Sequence, residues 1–482
     1  MISLPLRLSL LAGITAIFFS TGASSAEPPA WRPKTLAAAV SLKNYARPGT
    51  SDFVEGEVIV KLKDRMTLSG GVLRKLGLQS TFWETSGGEV IYRLTDQVMS
   101  GLRLKPEVER RQRLLQVIEQ LRAYPAVKYA QPNWILHAFA IPNDPGYETQ
   151  WHYFDNGAGT NESPGGINLP KTWANNIGSS SIVVAVIDSG LVAQHEDISG
   201  TNVADGYDFI SNPAIAADGD GRDPDETDPG GGVTEDRHSW HGTHVAGTVG
   251  VVDADNGLGV TGVNWQVKVQ SVRVLGKGGG TTSDIVDAIR WAAGLPVTGV
   301  PDNPTPANVI NMSLGGLRPC VLDPAVQSAI NDAVAQGVTV IVAAGNEALN
   351  AAFFTPASCK NVITVAASDF RGHLVSRYSN YGKTIEIMAP GGDTQRDDNG
   401  DGVPDGVLSA TGRGYEYYNG TSMAAPHVAG VVALLQAAQI QAGLPLLTPQ
   451  QVLQKIQSNA ILRTKEQCPK SCGAGLLNAA ID

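Results

Sequence analysis

The chain is poor in cysteine and in long apolar runs. Its four cysteines form neither a CxxC nor a CxxxxH pattern, which argues against zinc and redox motifs and favours disulfides. The only long apolar run extends from Ile2 to Phe19 and is interrupted by Pro5 and Arg7. No later stretch has the roughly 20 apolar residues that a membrane span needs. The sequence therefore predicts no membrane span after this N-terminal run.

Charge is also scarce and unevenly distributed. Charged residues make up 17% of the 482 residues and hydrophobic residues 42%, which is a globular composition and suggests two or three domains. Residues 27–140 contain 17 Lys and Arg against 11 Asp and Glu, whereas residues 141–482 contain 18 against 35. An acidic body lacks the basic surface that nucleic acids require, so we expect no nucleic-acid partner. The net positive charge of residues 27–140 and the net negative charge of residues 141–482 would attract each other.

The N-terminus is typical of a secretory signal peptide, which we place at residues 1–26. Arg7 supplies the positive end, Leu8 to Phe19 the apolar segment, and Ser24-Ser25-Ala26 a small-residue cleavage site. A non-cleaved anchor is the alternative. The signal predicts secretion, with no membrane span in the mature protein.

A small α+β module is expected at residues 53–136. Residues 57–62 and 127–130 have the pattern of strands, and apolar residues recur at helical spacing between Val108 and Leu121. Residues 137–145 form a linker that contains proline.

Beyond residue 181, buried strands alternate with helices. The run Val183 to Ile187 is apolar throughout, as expected for a strand covered on both faces. Similar strands are predicted at 267–274, 307–312, 338–344 and 362–367, and helices at 282–293, 324–336 and 423–442. This alternation predicts the fold class, an α/β domain with a doubly wound, mainly parallel sheet.

Three segments contain residues suited to catalysis. Asp188 follows a buried strand, at the sheet edge where open α/β folds place their sites, although a turn aspartate fits the same position. The segment His241 to Thr248 surrounds histidines with small residues, and the spacing of His238, His241 and His244 leaves a metal face open. In the segment Asn419 to His427, Ser422 opens an apolar helix, where a simple N-cap serine is the alternative.

Taken together, these segments resemble the subtilisin-like serine proteases (subtilases, peptidase family S8), and in particular the secreted bacterial type with an inhibitory propeptide. The family patterns are D-[ST]-G, H-G-T-H-V-A-G and G-T-S-M-A-x-P-H, and the Asp, His, Ser order is that of subtilisin. The resemblance covers roughly residues 141–482. It implies that Ser422 is the nucleophile, His241 the base and Asp188 its orienting partner. It also implies that Asn346, in Ala343-Ala344-Gly345-Asn346, donates to the oxyanion.

The resemblance also implies where a peptide substrate binds. The edge after the strand at 307–312 and the segment before Asn346 would line the cleft. The residues are Ser313, Leu314, Gly315, Gly316, Ala343, Ala344 and Gly345. Since neither stretch contains an acidic residue, we expect broad specificity with a preference for apolar side chains.

Calcium is the expected cofactor, at three loops. The first resembles the family's high-affinity calcium loop, and its implied ligands are Asp144, Asp197, Ala254, Asn256, Leu258 and Val260. The second is a cluster of carboxylates that repel one another unless a cation intervenes: Asp218, Asp220, Asp223, Asp225 and Asp228. The third fits the first half of an EF-hand loop, but Leu408 stands at the twelfth position, where an EF-hand has Glu. Its candidate ligands are Asp397, Asn399, Asp401 and Asp405.

The remaining expectations concern maturation and cross-links. The module at about 53–136 resembles the family's propeptide, which implies a propeptide at 27–140, cleavage near 138–141, and a peptidase domain at 141–482. The propeptide would act as an intramolecular inhibitor. We expect no C-terminal extension, and a monomer acting on proteins and peptides. Of the three possible disulfide pairings, Cys320–Cys359 with Cys468–Cys472 is favoured, because the second pair closes a short local loop. A zinc hydrolase and an inactive binding protein are the competing hypotheses.

Overall fold

A computed structural model describes residues 53–63, 66–102, 107–134, 141–159, 162–192, 194–230 and 240–480. The predicted signal peptide lies outside these residues, and so do positions 138–140 of the predicted cleavage segment at 138–141. The described chain divides into two compact units, a small one at 55–132 and a large one that begins at residue 133.

The small unit has a four-stranded sheet in the order β2-β3-β1-β4. Its elements are β1 (Phe53–Leu62), α1 (Gly70–Leu76), β2 (Leu78–Glu84), β3 (Glu89–Leu94), α2 (Asp96–Leu102), α3 (Glu107–Arg122) and β4 (Val127–Trp134). Strand β3 is antiparallel to both β1 and β2. Val58 and Val60 of β1 are buried, as are Leu114, Ile118 and Leu121 of α3. The two predicted strands and the predicted helix are therefore confirmed as β1, β4 and α3.

The large unit contains a seven-stranded sheet in the order β13-β12-β11-β10-β7-β9-β8. Its strands are β7 (Val183–Asp188), β8 (Val203–Asp208), β9 (Lys268–Arg273), β10 (Val309–Met312), β11 (Thr339–Ala343), β12 (Ile363–Ser368) and β13 (Ile387–Pro390). All neighbouring strands are parallel. All the residues of β7 are buried because helices cover both faces. The predicted parallel α/β sheet is confirmed.

Helices lie on both faces of this sheet. The α-helices of the large unit are α4 (Leu169–Trp173), α5 (Pro213–Ala216), α6 (His241–Val249), α7 (Thr282–Ala292), α8 (Pro324–Ala335), α9 (Thr421–Gln441) and α10 (Pro449–Asn459), and α6 to α10 contact strands of the sheet. Successive side chains of a strand point to opposite faces. Accordingly, Val184 and Val186 share one core with α6 and α9, whereas Ala185 and Ile187 share the other with α7 and α8. The sheet is thus doubly wound.

Helix α9 corrects the expectation about apolar runs. It is long and apolar enough to pass a length and composition criterion for a membrane span, yet 83% of the qualifying stretch is buried inside the protein. Its inner residues, including Val428 and Val432, pack in the same core as α6. A helix that is apolar all round fits a buried central position in a soluble core.

Short strands complete the large unit and lead to the nucleophile segment. The strands β5 (Asp155–Asn156) and β6 (Glu162–Ser163) form a small pair, and β14 (Val407–Thr411) and β15 (Gly414–Tyr418) an antiparallel hairpin. The hairpin ends two residues before α9 begins. The carboxyl ends of β7, β10 and β11 lead into Asp188, Ser313 and the loop that contains Asn346. Catalytic candidates from distant parts of the sequence therefore meet at one edge of the sheet.

Candidate active site

Asp188 and His241 form a hydrogen-bonded pair. Asp188 is the last residue of β7, and His241 is the first residue of α6. His241 Nδ1 lies 2.7 Å from Asp188 Oδ1, which also accepts from the backbone N–H of Ser189 at 2.7 Å. Asp188 is buried, and the His241 side chain is 15% exposed. Because Nδ1 bonds the carboxylate, Nε2 is the ring nitrogen left for a group in the cavity that His241 lines.

The pKa of His241 is raised above its usual 6.5. Burial alone lowers this pKa, but the charge and hydrogen bond of Asp188, with the charge of Asp228, more than offset the burial. The carboxylate of Asp228 accepts from the Ser189 hydroxyl at 2.8 Å, and that hydroxyl accepts from the Gly242 N–H at 2.9 Å. Asp228 is therefore attached to the His241 turn through Ser189.

Ser422 is the second residue of α9, at the positive end of the helix dipole. Its hydroxyl donates to the Ser313 carbonyl at 3.2 Å, and the Ser313 hydroxyl donates back to the Ser422 carbonyl at 2.8 Å. No hydrogen bond joins Ser422 to His241 in this described structure, although both side chains line the same cavity of about 280 Å³. Catalytic hydrogen bonds of this kind are often long in free enzymes.

Asn346 lines the same cavity. Its Oδ1 accepts from the N–H and the hydroxyl of Thr421, at 2.8 and 2.9 Å. With the carboxamide oxygen occupied in this way, Nδ2 is left as a donor for a group in the cavity. The Thr421 hydroxyl in turn accepts from the Gly345 N–H at 3.1 Å. Thr421 was not singled out by the sequence reasoning, although it stands within the G-T-S motif.

The predicted substrate-binding residues line two adjacent cavities. Six of the seven surround a cavity of about 110 Å³ beside Ser422: Ser313, Leu314, Gly315, Ala343, Ala344 and Gly345. The seventh, Gly316, lines a neighbouring cavity of about 90 Å³ with Leu314 and Gly315.

The cavity beside Ser422 contains an acidic residue that lies outside the two stretches considered in the sequence. Glu347 lines the cavity beside Ser422, together with Phe354 and Thr355. Glu347 directly follows Asn346, the candidate oxyanion donor, in the sequence, and its place in the cavity wall could have been predicted from that adjacency. The preference for apolar side chains loses its support, because a carboxylate forms part of the wall.

The histidine metal face is not assembled. His244 Nε2 contacts the backbone carbonyls of Val407 and Glu416, at 3.0 and 3.1 Å, and the ring stacks on Tyr418. His238 lies outside the described residues. Within the described ranges, no three or more His, Cys, Asp or Glu side chains form a group able to hold a metal ion. His427 is also buried and bonded within the core, with Nε2 2.9 Å from His152 Nδ1.

The first calcium loop brings its implied side chains together. Asp197 and Asp144 are both buried, and neither forms an ion pair with a basic side chain in the described part of the chain. Burial, with the charges of Asp144 and Asp253, raises the pKa of Asp197 to about 6. Asn256 Nδ2 donates to Asp197 Oδ1 at 2.9 Å, and the Val260 N–H donates to Asp197 Oδ2. Buried carboxylates without a positive partner fit a divalent cation.

The second loop is not gathered into a site. Asp218 pairs with Arg273, which also pairs with Asp208. Asp228 instead bonds Ser189 beside His241. Asp220 and Asp223 bond each other, which raises the pKa of Asp220. The repulsion expected in this loop is relieved partly by an arginine, because Arg273 lies buried beneath it.

The third loop folds around Asp397. Its carboxylate accepts from the N–H groups of Gly400, Asp401 and Gly402. Asp405 is buried, and its Oδ1 has no hydrogen-bond partner. Burial, together with the charges of neighbouring aspartates, raises the pKa of Asp405 to about 6. Asn399 bonds Asp401 at 2.8 Å, so the implied ligands lie in one loop, although they do not form a ready acidic cluster among the described residues.

Both predicted disulfides are present. Cys320 is joined to Cys359 and Cys468 to Cys472, which leaves no free cysteine among the described residues. The first links the segment after Gly316 to the segment after Thr355, and Gly316 and Thr355 themselves pair as a short β-bridge. This disulfide therefore braces one wall of the candidate cleft.

Two protein families match this chain. The subtilase family matches residues 179–475, and the fervidolysin N-terminal prodomain matches residues 40–133. A doubly wound sheet with these residues at its edge is a subtilisin-like fold. The chain belongs to the subtilase family of serine proteases, with a fervidolysin-like prodomain before the peptidase domain.

Individual relatives agree with this assignment. An extracellular protease of Xanthomonas campestris is 44% identical over 78% of this chain, and an extracellular basic protease of Dichelobacter nodosus is 35% identical over 92%. The chain spans 64% and 73% of the lengths of those relatives. Among solved structures, a protease from Pseudoalteromonas arctica is 42% identical, with a TM-score of 0.62 over 71% of this chain and 98% of that one.

Proposed function

We propose that the chain is a secreted, calcium-stabilised serine endopeptidase that hydrolyses peptide bonds of extracellular proteins. One observation carries the proposal: the Asp188–His241 pair, Ser422 and Asn346 converge on one cavity at the carboxyl edge of the sheet. The motifs, the family membership and relatives named extracellular proteases support the same activity.

Each group then has a defined role in acyl transfer. His241 accepts the Ser422 proton as the oxygen attacks the peptide carbonyl, and later gives that proton to the leaving amine. Asp188 holds the imidazole tautomer and stabilises its charged form. Water hydrolyses the acyl-enzyme by the reverse sequence of proton transfers.

The developing oxyanion needs donors that are already in place. Asn346 Nδ2 is one, since Thr421 occupies the other end of the carboxamide. The Ser422 backbone N–H is the second, because first-turn N–H groups of a helix have no intrahelical partner. The substrate would add as an extended strand along residues 313–316.

Calcium would be held first by Asp197, Asp144 and the loop at 254–260, where it would neutralise buried carboxylates. The Asn256 carboxamide would have to turn, because it now presents its nitrogen to Asp197. Asp397, Asn399, Asp401 and Asp405 would form a further site. The second loop has weaker support, because Arg273 already neutralises Asp218.

Residues 1–26 would direct export and be removed, and residues 27–140 would form the propeptide. The match of residues 40–133 to a protease prodomain supports this division. The mature enzyme, residues 141–482, would act as a monomer, with the propeptide as its intramolecular inhibitor.

The substitution Ser422→Ala tests the function directly. It removes the only proposed nucleophile, so hydrolysis of a peptide substrate should fall by roughly 10⁴-fold or more in kcat. Melting curves should stay close to those of the parent, because the N-cap of α9 is Gly420 and the change removes only the Ser422 hydrogen bond to the Ser313 carbonyl, a loss of about 1 kcal/mol. Ser458→Ala, on the surface of α10, is the control and should retain full activity. Activity retained by Ser422→Ala would contradict the proposal.

Intact mass measurement of the same variant tests self-processing. If the enzyme cuts its own propeptide, purified Ser422→Ala should remain one chain across residues 137–141, because that cut is intramolecular and needs the nucleophile. Clean processing of the variant without other proteases would refute self-processing, but not the proposal that the chain is a peptidase.

A further inference from the structure

The loop at residues 344–349, which we call the oxyanion loop, has a backbone that must be held from outside. Gly345 has a φ of 101° and Ala348, which carries a side chain, a φ of 55°. A residue with a side chain in the left-handed region is unfavourable and persists only where its surroundings impose it. The loop contains Asn346 and Glu347, so its exact shape decides where two groups of the cleft lie.

Asn380 supplies much of this restraint. It is fully buried, and its Oδ1 accepts from the N–H groups of Glu347 and Leu349, at 3.2 and 2.8 Å. Its Nδ2 donates to the Ala344 carbonyl and to Glu347 Oε2, both at 2.9 Å. Its backbone N–H donates to the Gly345 carbonyl at 2.9 Å. One side chain therefore spans the oxyanion loop from its first residue to its last.

Asn380 packs so closely against Gly345 that no residue with a side chain fits at position 345. A Cβ atom at that position would lie 2.3 Å from Asn380 Nδ2. The loop backbone and the Asn380 carboxamide are thus packed directly on each other. Other anchors are backbone bonds, such as Ala348 N–H to the Tyr378 carbonyl at 2.7 Å, and these do not depend on the Asn380 side chain.

None of the Asn380 hydrogen bonds in the described structure goes to Asn346. Thr421 holds the Asn346 side chain, whereas Asn380 holds the backbone on both sides of it. We propose that Asn380 is a positioning residue for the oxyanion donor: it sets the backbone of the loop at 344–349 so that Asn346 Nδ2 faces the developing charge. This inference rests on the proposed function, in which Asn346 is that donor.

A double-mutant cycle between Asn380 and Asn346 tests the inference. Asn380→Ala should lower kcat by about 10- to 100-fold, since an ångström of misplacement is costly at a reacting centre, with a smaller change in KM. Asn346→Ala alone should cost about 10²–10³ in kcat, a figure measured in subtilisin itself. In the Asn346→Ala background, Asn380→Ala should cost less than about threefold, because the group it positions is already gone.

A matched control separates positioning from loss of stability. Asn303 is also buried, and its carboxamide exchanges hydrogen bonds with Gln270, Thr305 and Trp291 away from the oxyanion loop. Asn303→Ala should lower the melting temperature yet leave kcat within about twofold of the parent in both backgrounds. Rates are normalised by titrating active sites with a serine-reactive inhibitor, and stability is measured in the Ser422→Ala background.

Asn380→Asp covers the case in which Asn380→Ala does not fold. It keeps the size of the side chain and the acceptor for the Glu347 and Leu349 N–H groups, but loses both donated bonds. An intermediate loss of kcat would support the inference. An unchanged kcat in a folded Asn380 variant, or the same loss with and without Asn346, would overturn it. Ser422→Ala distinguishes failure of the proposed function from failure of the inference about Asn380. Activity that survives this change would contradict the proposed function itself.

Discussion

At the scale of single residues, the site depends on charges held at short range in a buried setting. Asp188 bonds His241 directly, and Asp228 acts on it through space from its position on Ser189. Together they outweigh the cost of burying a charged imidazole. Asp228 was expected as a calcium ligand, and the structure shows it bonded to Ser189, close enough to His241 to act on its pKa.

The pH dependence of kcat/KM follows from this arrangement. His241 must be neutral to accept a proton, so activity should be present at high pH and fall as pH decreases through a midpoint above 6.5. Asp228→Asn removes one of the charges that raise the pKa of His241, so the midpoint should move to lower pH. Asp225→Asn, an exposed change in the same loop, is the control and should leave the midpoint in place. A midpoint that rises or stays fixed in Asp228→Asn would contradict this view.

Motifs identified the candidate catalytic residues, but not the residues that hold them. Asp188, His241, Asn346 and Ser422 stand in patterns that can be recognised in the sequence, and Glu347 was missed although it adjoins one of them. Asn380 carries no such signal. Its importance comes from five hydrogen bonds to a loop more than thirty residues earlier in the chain, and such contacts exist only after folding.

At the scale of elements, strands covered on both faces were the easiest to predict. The apolar run at 183–187 became β7 with a difference of one residue, and 362–367 became β12. Elements with polar residues were missed. Strand β2 contains Gln79, Ser80 and Thr81, and β8 contains Asp205 and Gly206, so neither has a continuous apolar run. Their strand conformation comes from pairing with neighbours, which local sequence does not report.

The two disulfides should differ in their effect on stability. Cys320–Cys359 closes 39 positions and Cys468–Cys472 only 4. On the loop-entropy estimate, losing the first costs about 4 kcal/mol and losing the second about 2 kcal/mol. Thermal melting of the paired alanine variants in the Ser422→Ala background would measure the difference. Equal melting temperatures, or a larger loss for the short loop, would show that strain or residual structure outweighs loop entropy.

At the scale of the whole molecule, the peptidase unit combines an apolar core with loops rich in aspartate. The core is covered by helices on both faces of one sheet, and its described apolar clusters contain no charge that needs a partner. The loops do contain such charges, because Asp197 and Asp405 are buried carboxylates with raised pKa values. Family resemblance predicted calcium at the first loop, and the spacing of the carboxylates predicted it at the other two. Neither predicted that Asp218 in the second loop would pair with Arg273, because the two residues are 55 positions apart in the sequence.

The effect of an Asp197 substitution on stability should therefore differ in sign with and without calcium. Calcium at 100 times its dissociation constant should stabilise the parent by about 2.7 kcal/mol and Asp197→Asn by much less, so the parent should be the more stable of the two in saturating calcium. In EGTA at pH 8 the order should reverse or vanish. A folded-state pKa of about 6 lies above the ordinary aspartate value, so stability is lost as pH rises through it, and the neutral amide avoids that loss. Asp302→Asn, an exposed change, is the control. Parent melting curves that are identical in calcium and EGTA would contradict calcium binding.

The central claim is that Ser422 is the nucleophile of a protease, activated by His241. Reaction of the active protein with phenylmethylsulfonyl fluoride, followed by peptide mapping, tests it most directly. We expect one adduct per active chain, located on Ser422, with activity lost in proportion to labelling and no labelling in the His241→Ala variant. An adduct on another residue, or full activity in a protein labelled at Ser422, would contradict it.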